Sequence, residues 1–446
     1  MRSADVPDHS PARRARSRTR LDPARQVAFA ALRAVDDDDA YLNLTLPTLM
    51  AVAGLTGRDA AFATELANGT VRMQGQYDAM IADCVDGGPT SLQPEVLTAL
   101  RIGCHQLHAM RVPAHAAVGT SVELVREAVG ERPVRLVNAV LRRVGATPLE
   151  TWLSTMTLPR RYSHPEWVVD AFAAALAAGG RHTSELTPLL AADNQAPLVT
   201  LAVRPGLAEV SDLASYGVEP GRYSPYAGRL AAGDPHDLPQ VRAGTVGVQD
   251  EGSQLAALVV AGAELAGRDE RWLDMCAGPG GKAALLTGLA RQRGVTLIAA
   301  ERLPHRATLV SRALRAYPRP QAVLAADATS PAWRRETFDR VIVDAPCTGL
   351  GALRRRPEAR WRRQPQDLDT LVPLQRRLVG SALTAVRPGG LVVYVTCTPH
   401  RAETREVVDS VLASHRNVSE EDARPLLAGV DDLGPGPHVQ LWPHLH

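Results

Sequence analysis

Two cysteines stand directly after apolar runs of the kind that form buried strands. Cys347 lies in Val343-Asp344-Ala345-Pro346-Cys347-Thr348-Gly349, after Val341-Ile342-Val343, and Cys397 lies in Val395-Thr396-Cys397-Thr398-Pro399, after Leu391-Val392-Val393-Tyr394. In an open α/β sheet the carboxyl ends of the strands form the ligand crevice. Two thiols on one such rim suit covalent chemistry in which one attacks and the other handles a proton.

A third strand-end segment supplies a candidate ligand site. Arg271-Trp272-Leu273-Asp274-Met275-Cys276-Ala277-Gly278-Pro279-Gly280-Gly281-Lys282-Ala283 joins an expected strand to an expected helix. Its three glycines let the backbone pass close to a ligand, and the helix N-terminus behind them favours an anionic group. The spacing fits neither the dinucleotide fingerprint nor a P-loop, because no Ser or Thr follows the lysine. Glu301, ending the next expected strand, is placed to take ribose hydroxyls, and Asp327, after the third, suits an adenine amino group or nearby backbone. Arg306 is assigned to the cofactor side. Together these features predict a nucleoside cofactor. Lys282 is the only lysine in an arginine-rich chain, so a compact ammonium is wanted there.

The elements that position these groups follow from the rest of the chain. Its 446 residues predict two or three domains, and 45% apolar with 22% charged residues is a globular composition. No apolar run reaches the length of a membrane-spanning helix, and the N-terminus lacks the apolar core of a signal peptide. Five cysteines, widely spread, do not make a disulfide framework, so a reducing cytoplasm is expected. His438, His444 and His446 match no metal-ligand spacing, and no metal is expected. Residues 1–22, with five arginines between Arg13 and Arg20, read as a disordered basic tail. Residues 23–147 read as all-helical, with Val27, Ala31 and Val35 on one face and Val118, Val122 and Val125, with Ala117 and Ala128, on another. Cys84 and Cys104 are expected in helices, in the core. Residues 148–245 read as a helical linker and a small α/β subdomain. From 246 to 446, strands expected at 271–276, 295–300, 321–325, 340–345 and 390–396 alternate with helices. That predicts a doubly wound, mainly parallel sheet of Rossmann-like type.

The segments Asp274–Lys282, Asp344–Cys347 and Thr396-Cys397 resemble the motif set of RNA 5-methylcytosine methyltransferases that use S-adenosylmethionine. Gln249-Asp250-Glu251-Gly252-Ser253-Gln254 is similar to the lead-in of the bacterial ribosomal RNA small-subunit methyltransferase B (RsmB/Sun) family. Arg58–Leu66 and Val137–Arg143 resemble the NusB-like RNA-binding domain fused to that enzyme. The resemblance implies methylation of carbon 5 of a cytosine in 16S ribosomal RNA; a monomer is expected. The same chemistry on transfer RNA, or a non-catalytic antitermination factor, are the alternatives.

Carbon 5 of cytosine takes a methyl group only after a thiolate adds at carbon 6. By the resemblance, Cys397 is that nucleophile and Cys347 assists proton removal and product release. Asp344 meets the N3/N4 edge, and Lys282 approaches O2 or N3. Residues Cys276, Ala277, Gly278, Pro279, Gly280, Gly281, Lys282, Glu301, Arg306, Asp327 and Asp344 line the cofactor site, the Cys276 thiol packing beneath the loop. DNA enzymes of this chemistry use the Pro-Cys thiol, which would put Cys347 first. Arg354-Arg355-Arg356 and Arg360-Trp361-Arg362-Arg363 are expected to meet RNA, since guanidinium and indole planes stack on exposed bases. Arg142 and Arg143 are open between RNA contact and surface charge. The family continues past a Leu-Trp-Pro-His-like segment with a final strand; here the sequence stops at His446, so that last strand is expected to be missing.

Overall fold

A computed structural model describes residues 22–38, 40–318 and 322–446. Residues 1–21 of the basic tail, Asp39 and the first residue of the expected strand at 321 lie outside these residues. The chain forms two compact units. One takes the described residues up to Thr70 together with Met80–Trp152, and the other takes Val71–Ala79 and Leu153–His446.

The first unit is helical. Its opening helix, Pro23–Asp37, starts where Asp22 accepts a hydrogen bond from the Ala24 N–H and Pro23 fills the first turn. It buries Val27, Ala31 and Val35 together with Ala24, Ala28 and Leu32, a single helical face. Helices Pro94–His108, Ala114–Ala128 and Val134–Ala146 complete the centre. Gly103 permits a close crossing there, because a Cβ at that position would lie 2.5 Å from Leu141 Cδ1. Two expectations need correction. Ala128 is exposed at the end of its helix, and Cys84 is half-buried in the turn after the helix Gln74–Ala82.

The second unit carries two sheets. Strands β1 (Val199–Val203), β2 (Val218–Pro220), β3 (Ala227–Leu230) and β4 (Val246–Val248) form an antiparallel sheet in the order β2-β3-β1-β4. Strands β5 (Arg271–Asp274), β6 (Thr296–Glu301), β7 (Ala322–Ala325), β8 (Phe338–Asp344) and β9 (Val386–Val395) form a parallel sheet in the order β7-β6-β5-β8-β9. This is the doubly wound, Rossmann-like arrangement expected. Alternate residues of each strand feed opposite faces. Trp272, Leu297 and Ile342 pack with the helix Gly281–Gln292, and Leu273, Val341 and Val343 pack with the helix Leu368–Ala385. No helix among the described residues is long and apolar enough to cross a membrane. Residues 415–446 contain no strand, and Trp442 is buried against Phe172 and Leu190.

Part of the expected RNA cluster is core instead. Arg360 has no exposed surface. Its guanidinium donates to the Arg72, Ser163 and Asp193 carbonyls and to Asn194 Oδ1, the last at 2.8 Å. Burial lowers its pKa to about 10 even with the Asp193 charge opposing. Trp361 Nε1 donates to the Val71 carbonyl at 3.0 Å. A short Arg-rich helix reads as surface from composition, but five donors in a fixed fork can satisfy several buried carbonyls at once. Arg360→Met should strand those acceptors and cost roughly 2–5 kcal/mol. A melting temperature unchanged from wild type would contradict that role.

Candidate active site

The strand order reverses between β5 and β8, and the site straddles this switch point. After β5, the Met275 N–H donates to the Ile342 carbonyl and the Ala277 N–H to the Ala300 carbonyl, which steers the glycine loop across the sheet rim. Gly280, at φ +114°, turns the chain into the helix Gly281–Gln292, where a Cβ would lie 2.6 Å from Ala313 Cβ. Glu301 closes β6 almost fully buried, accepting from the Gly278 N–H at 3.1 Å and the Leu303 N–H at 3.1 Å. Arg306 Nη2 donates to the Gly278 carbonyl at 2.8 Å, and its Nη1 lies 3.8 Å from Glu301 Oε2. These residues therefore meet at one loop. Asp327 is exposed beyond β7, and its Oδ1 accepts from the Thr329 N–H and hydroxyl, which lower its pKa. The Cys276 thiol packs beneath the loop, where burial pushes its pKa up.

Asp274 is fully buried. One carboxylate oxygen accepts from the Cys276 N–H at 3.3 Å, and the other has no hydrogen-bond partner. Burial, reinforced by the Asp344 charge and opposed by Lys282, pushes this carboxyl up to about 7. The unfolded chain releases the proton in the ordinary aspartate range. Across the window from roughly pH 4 to pH 7 the folded chain therefore holds the extra proton, and stability falls as pH rises. Asp274→Asn should flatten that decline in thermal melts of the cofactor-free protein. A decline as steep as in wild type would contradict the assignment.

Register brings the thiols together. Asp344 at the end of β8 pairs with Val395 at the end of β9, and the Ala345 N–H donates to the Val395 carbonyl at 2.9 Å. The Pro-Cys and Thr-Cys loops thus leave the sheet side by side, and Cys347 Sγ lies 3.4 Å from Cys397 Sγ. Cys397 is exposed and Cys347 half-buried. The two thiols are polarised in opposite senses. The hydrogen bond with Cys347 lowers the Cys397 pKa, with Lys282 and Arg356 assisting against desolvation and Asp344. The same bond, with burial and the charges of Cys397 and Glu403, raises Cys347 well above the ordinary thiol range. Lys282 Nζ donates to Asp344 Oδ2 at 2.8 Å. Burial opposes its charge, but Asp344 prevails and holds the ammonium above its usual pKa.

Residues outside the sequence expectation complete the arrangement. Glu403 and Gln375, both without exposed surface, bracket the Cys347 loop together with Thr348. Glu403 lies six positions past Cys397 and Gln375 lies mid-helix; no spacing or composition marks either one. In the lead-in segment, Asp250 caps the helix Glu251–Gly262 and pairs with Arg355, and Glu251 accepts from the Tyr223 and Ser224 N–H groups. Arg142 and Arg143 are exposed on their helix.

Family models match both parts of the chain: 16S rRNA methyltransferase RsmB/F over residues 265–446, and the NusB family over 22–146. A Mycobacterium tuberculosis protein, named as a candidate methyltransferase, is 47% identical over 98% of this chain and 97% of its own. Ribosomal RNA small subunit methyltransferase B of Pseudomonas putida is 32% identical over 89% of this chain and 91% of its own. The chain belongs to the RsmB/F methyltransferase family. The crystal structure of PH0851 shares the fold, at a TM-score of 0.78 and 20% identity over 96% of each chain. This RNA methyltransferase uses S-adenosylmethionine, and its loop fits that group. The unpartnered Asp274 oxygen offers an acceptor to a cationic donor.

Proposed function

We propose that the protein methylates carbon 5 of a cytosine in 16S ribosomal RNA through a covalent bond between Cys397 and carbon 6. It acts as a cytoplasmic monomer whose residues 23–147 contribute RNA binding and whose residues 246–446 carry the reaction, joined by 148–245. The observation that carries this reading is the pair of thiols 3.4 Å apart beside the Lys282–Asp344 ion pair.

The cofactor supplies an electrophilic methyl group. The chain supplies the rest. The exposed Cys397 is the thiol held toward thiolate, the reactive form, and it adds to carbon 6 of a base taken out of its stack. Asp344 and Lys282 hold the N3/N4 and O2/N3 edges and favour the charge distribution that makes carbon 5 nucleophilic. Once Cys397 Sγ is bonded to carbon, it carries no charge and no longer accepts from Cys347. Two causes of the high Cys347 pKa then vanish, so Cys347 can release its own proton to solvent and, as the thiolate, take up the proton that leaves carbon 5. Expulsion of Cys397 frees the product. Ala277, Gly278, Pro279, Gly280 and Gly281 line the cofactor with the Cys276 backbone. Glu301 addresses the ribose, Arg306 fixes the loop, and Asp327 addresses the adenine side.

Bisulfite mapping of ribosomal and transfer RNA from cells with and without the protein tests the substrate. A single cytosine of 16S RNA that loses protection is expected. Loss confined to transfer RNA, or no change in either, would overturn the assignment.

A further inference from the structure

Glu403 is completely buried, and its carboxylate is met by neutral donors. Oε1 accepts from the Thr348 N–H at 2.8 Å and from Gln375 Nε2 at 3.1 Å, and Oε2 accepts from the Thr348 hydroxyl. The same Gln375 amide donates to the Pro346 carbonyl at 2.9 Å. The residues on either side of Cys347 are thus fixed by one carboxylate–amide pair. Glu403 is itself anchored where the Tyr394 hydroxyl donates to its carbonyl at 2.6 Å. Two further bonds tie the thiol loops to each other. The Thr348 and Thr398 hydroxyls meet at 3.0 Å, and the Gly351 N–H donates to the Cys397 carbonyl at 2.9 Å.

A buried carboxylate is retained only where donors satisfy it, and bonds to an ionised acceptor are about twice as strong as neutral ones. Three donors converge here on two oxygens. A glutamine at this position would offer one acceptor oxygen and turn its NH₂ toward a donor. An aspartate would be one methylene too short. We propose that Glu403 is a positioning residue that clamps the Cys347 loop onto the Cys397 loop, making Cys347 the fixed proton partner of the nucleophile. The proposal deepens, and rests on, the reading of Cys397 as that nucleophile. Releasing the clamp lets the thiols separate, and Cys397 loses the hydrogen bond that most favours its thiolate. The charged and titratable groups facing the pair are Asp344, Lys282 and Arg356 around Cys397, with Glu403 and Tyr394 behind Cys347.

The test is the pH dependence of Cys397 alkylation by iodoacetamide in the full chain, read by peptide mass mapping, without RNA or cofactor. Glu403→Gln should move the alkylation midpoint to higher pH and slow the neutral-pH rate by about tenfold, the equivalent of one pKa unit. Thr348→Val, which removes one donor and keeps the backbone N–H, should move it less in the same direction, and it serves if Glu403→Gln fails to fold. In a Cys347→Ala background Glu403→Gln should add nothing, because the clamp acts only through Cys347. Unchanged profiles in the folded variants, or a shift of equal size without Cys347, would overturn the proposal. Since no RNA enters the assay, its failure leaves the proposed reaction standing. Failure to methylate RNA, in turn, leaves the clamp standing.

Discussion

Cys397→Ala should abolish methylation and form no covalent RNA adduct, whereas Cys347→Ala should form the adduct and fail to release it. The difference follows from the polarisation of the pair. Cys397 is exposed and held toward thiolate, so its removal deletes the only bond to carbon 6; the remaining thiol is held neutral. Loss of a covalent nucleophile should lower the rate by several orders of magnitude. Cys347→Ala leaves Cys397 in place with Lys282 still nearby, so addition continues at a reduced rate. What it lacks is a group to take the carbon 5 proton, and a slowly turning-over adduct accumulates. Denaturing gels of each variant with labelled RNA and S-adenosylmethionine distinguish the two. An adduct with Cys397→Ala and none with Cys347→Ala would reverse the roles, giving the Pro-Cys thiol the attack as in the DNA enzymes.

Lys282→Met should be the second most damaging change. It leaves the Asp344 carboxylate without the ammonium at 2.8 Å and removes a positive charge that favours the Cys397 thiolate. Loss of one preorganised charged donor at a developing charge lowers turnover by about 10²–10³-fold. Cys397 alkylation should move to higher pH in the same variant. Lys282→Arg should restore charge but little turnover, because a planar guanidinium does not replace a compact ammonium. A Lys282→Met enzyme within a few-fold of wild-type turnover would remove Lys282 from the reaction.

The sequence made the parallel sheet readable because its strands carry apolar runs, three of them ending in Asp274, Glu301 and Asp344, and two faces covered by helices require such runs. The glycine loop was readable for a related reason. A left-handed turn packed tightly against neighbouring residues leaves few alternatives to glycine, as Gly280 against Ala313 illustrates. Other features were not legible. Arg360 looked like a surface cation because burial of arginine depends on carbonyls from residues 72, 163 and 193, which only tertiary structure brings together. Glu403 and Gln375 left no trace because a clamp between three segments has no period and no fixed spacing. The closeness of Cys347 and Cys397 was implied by two strand ends, but its cause is the β8–β9 register, which no local pattern specifies.

The central claim is that Cys397 forms the bond to the base. RNA carrying 5-fluorocytidine at the target position tests it most directly, because fluorine at carbon 5 cannot depart as the proton does and the adduct persists. The wild-type protein is incubated with this RNA and S-adenosylmethionine, digested, and the cross-linked peptide sequenced by mass spectrometry. A methylated nucleotide attached at Cys397 is expected. Attachment at Cys347, or no cross-link under conditions where unmodified RNA is methylated, would contradict it.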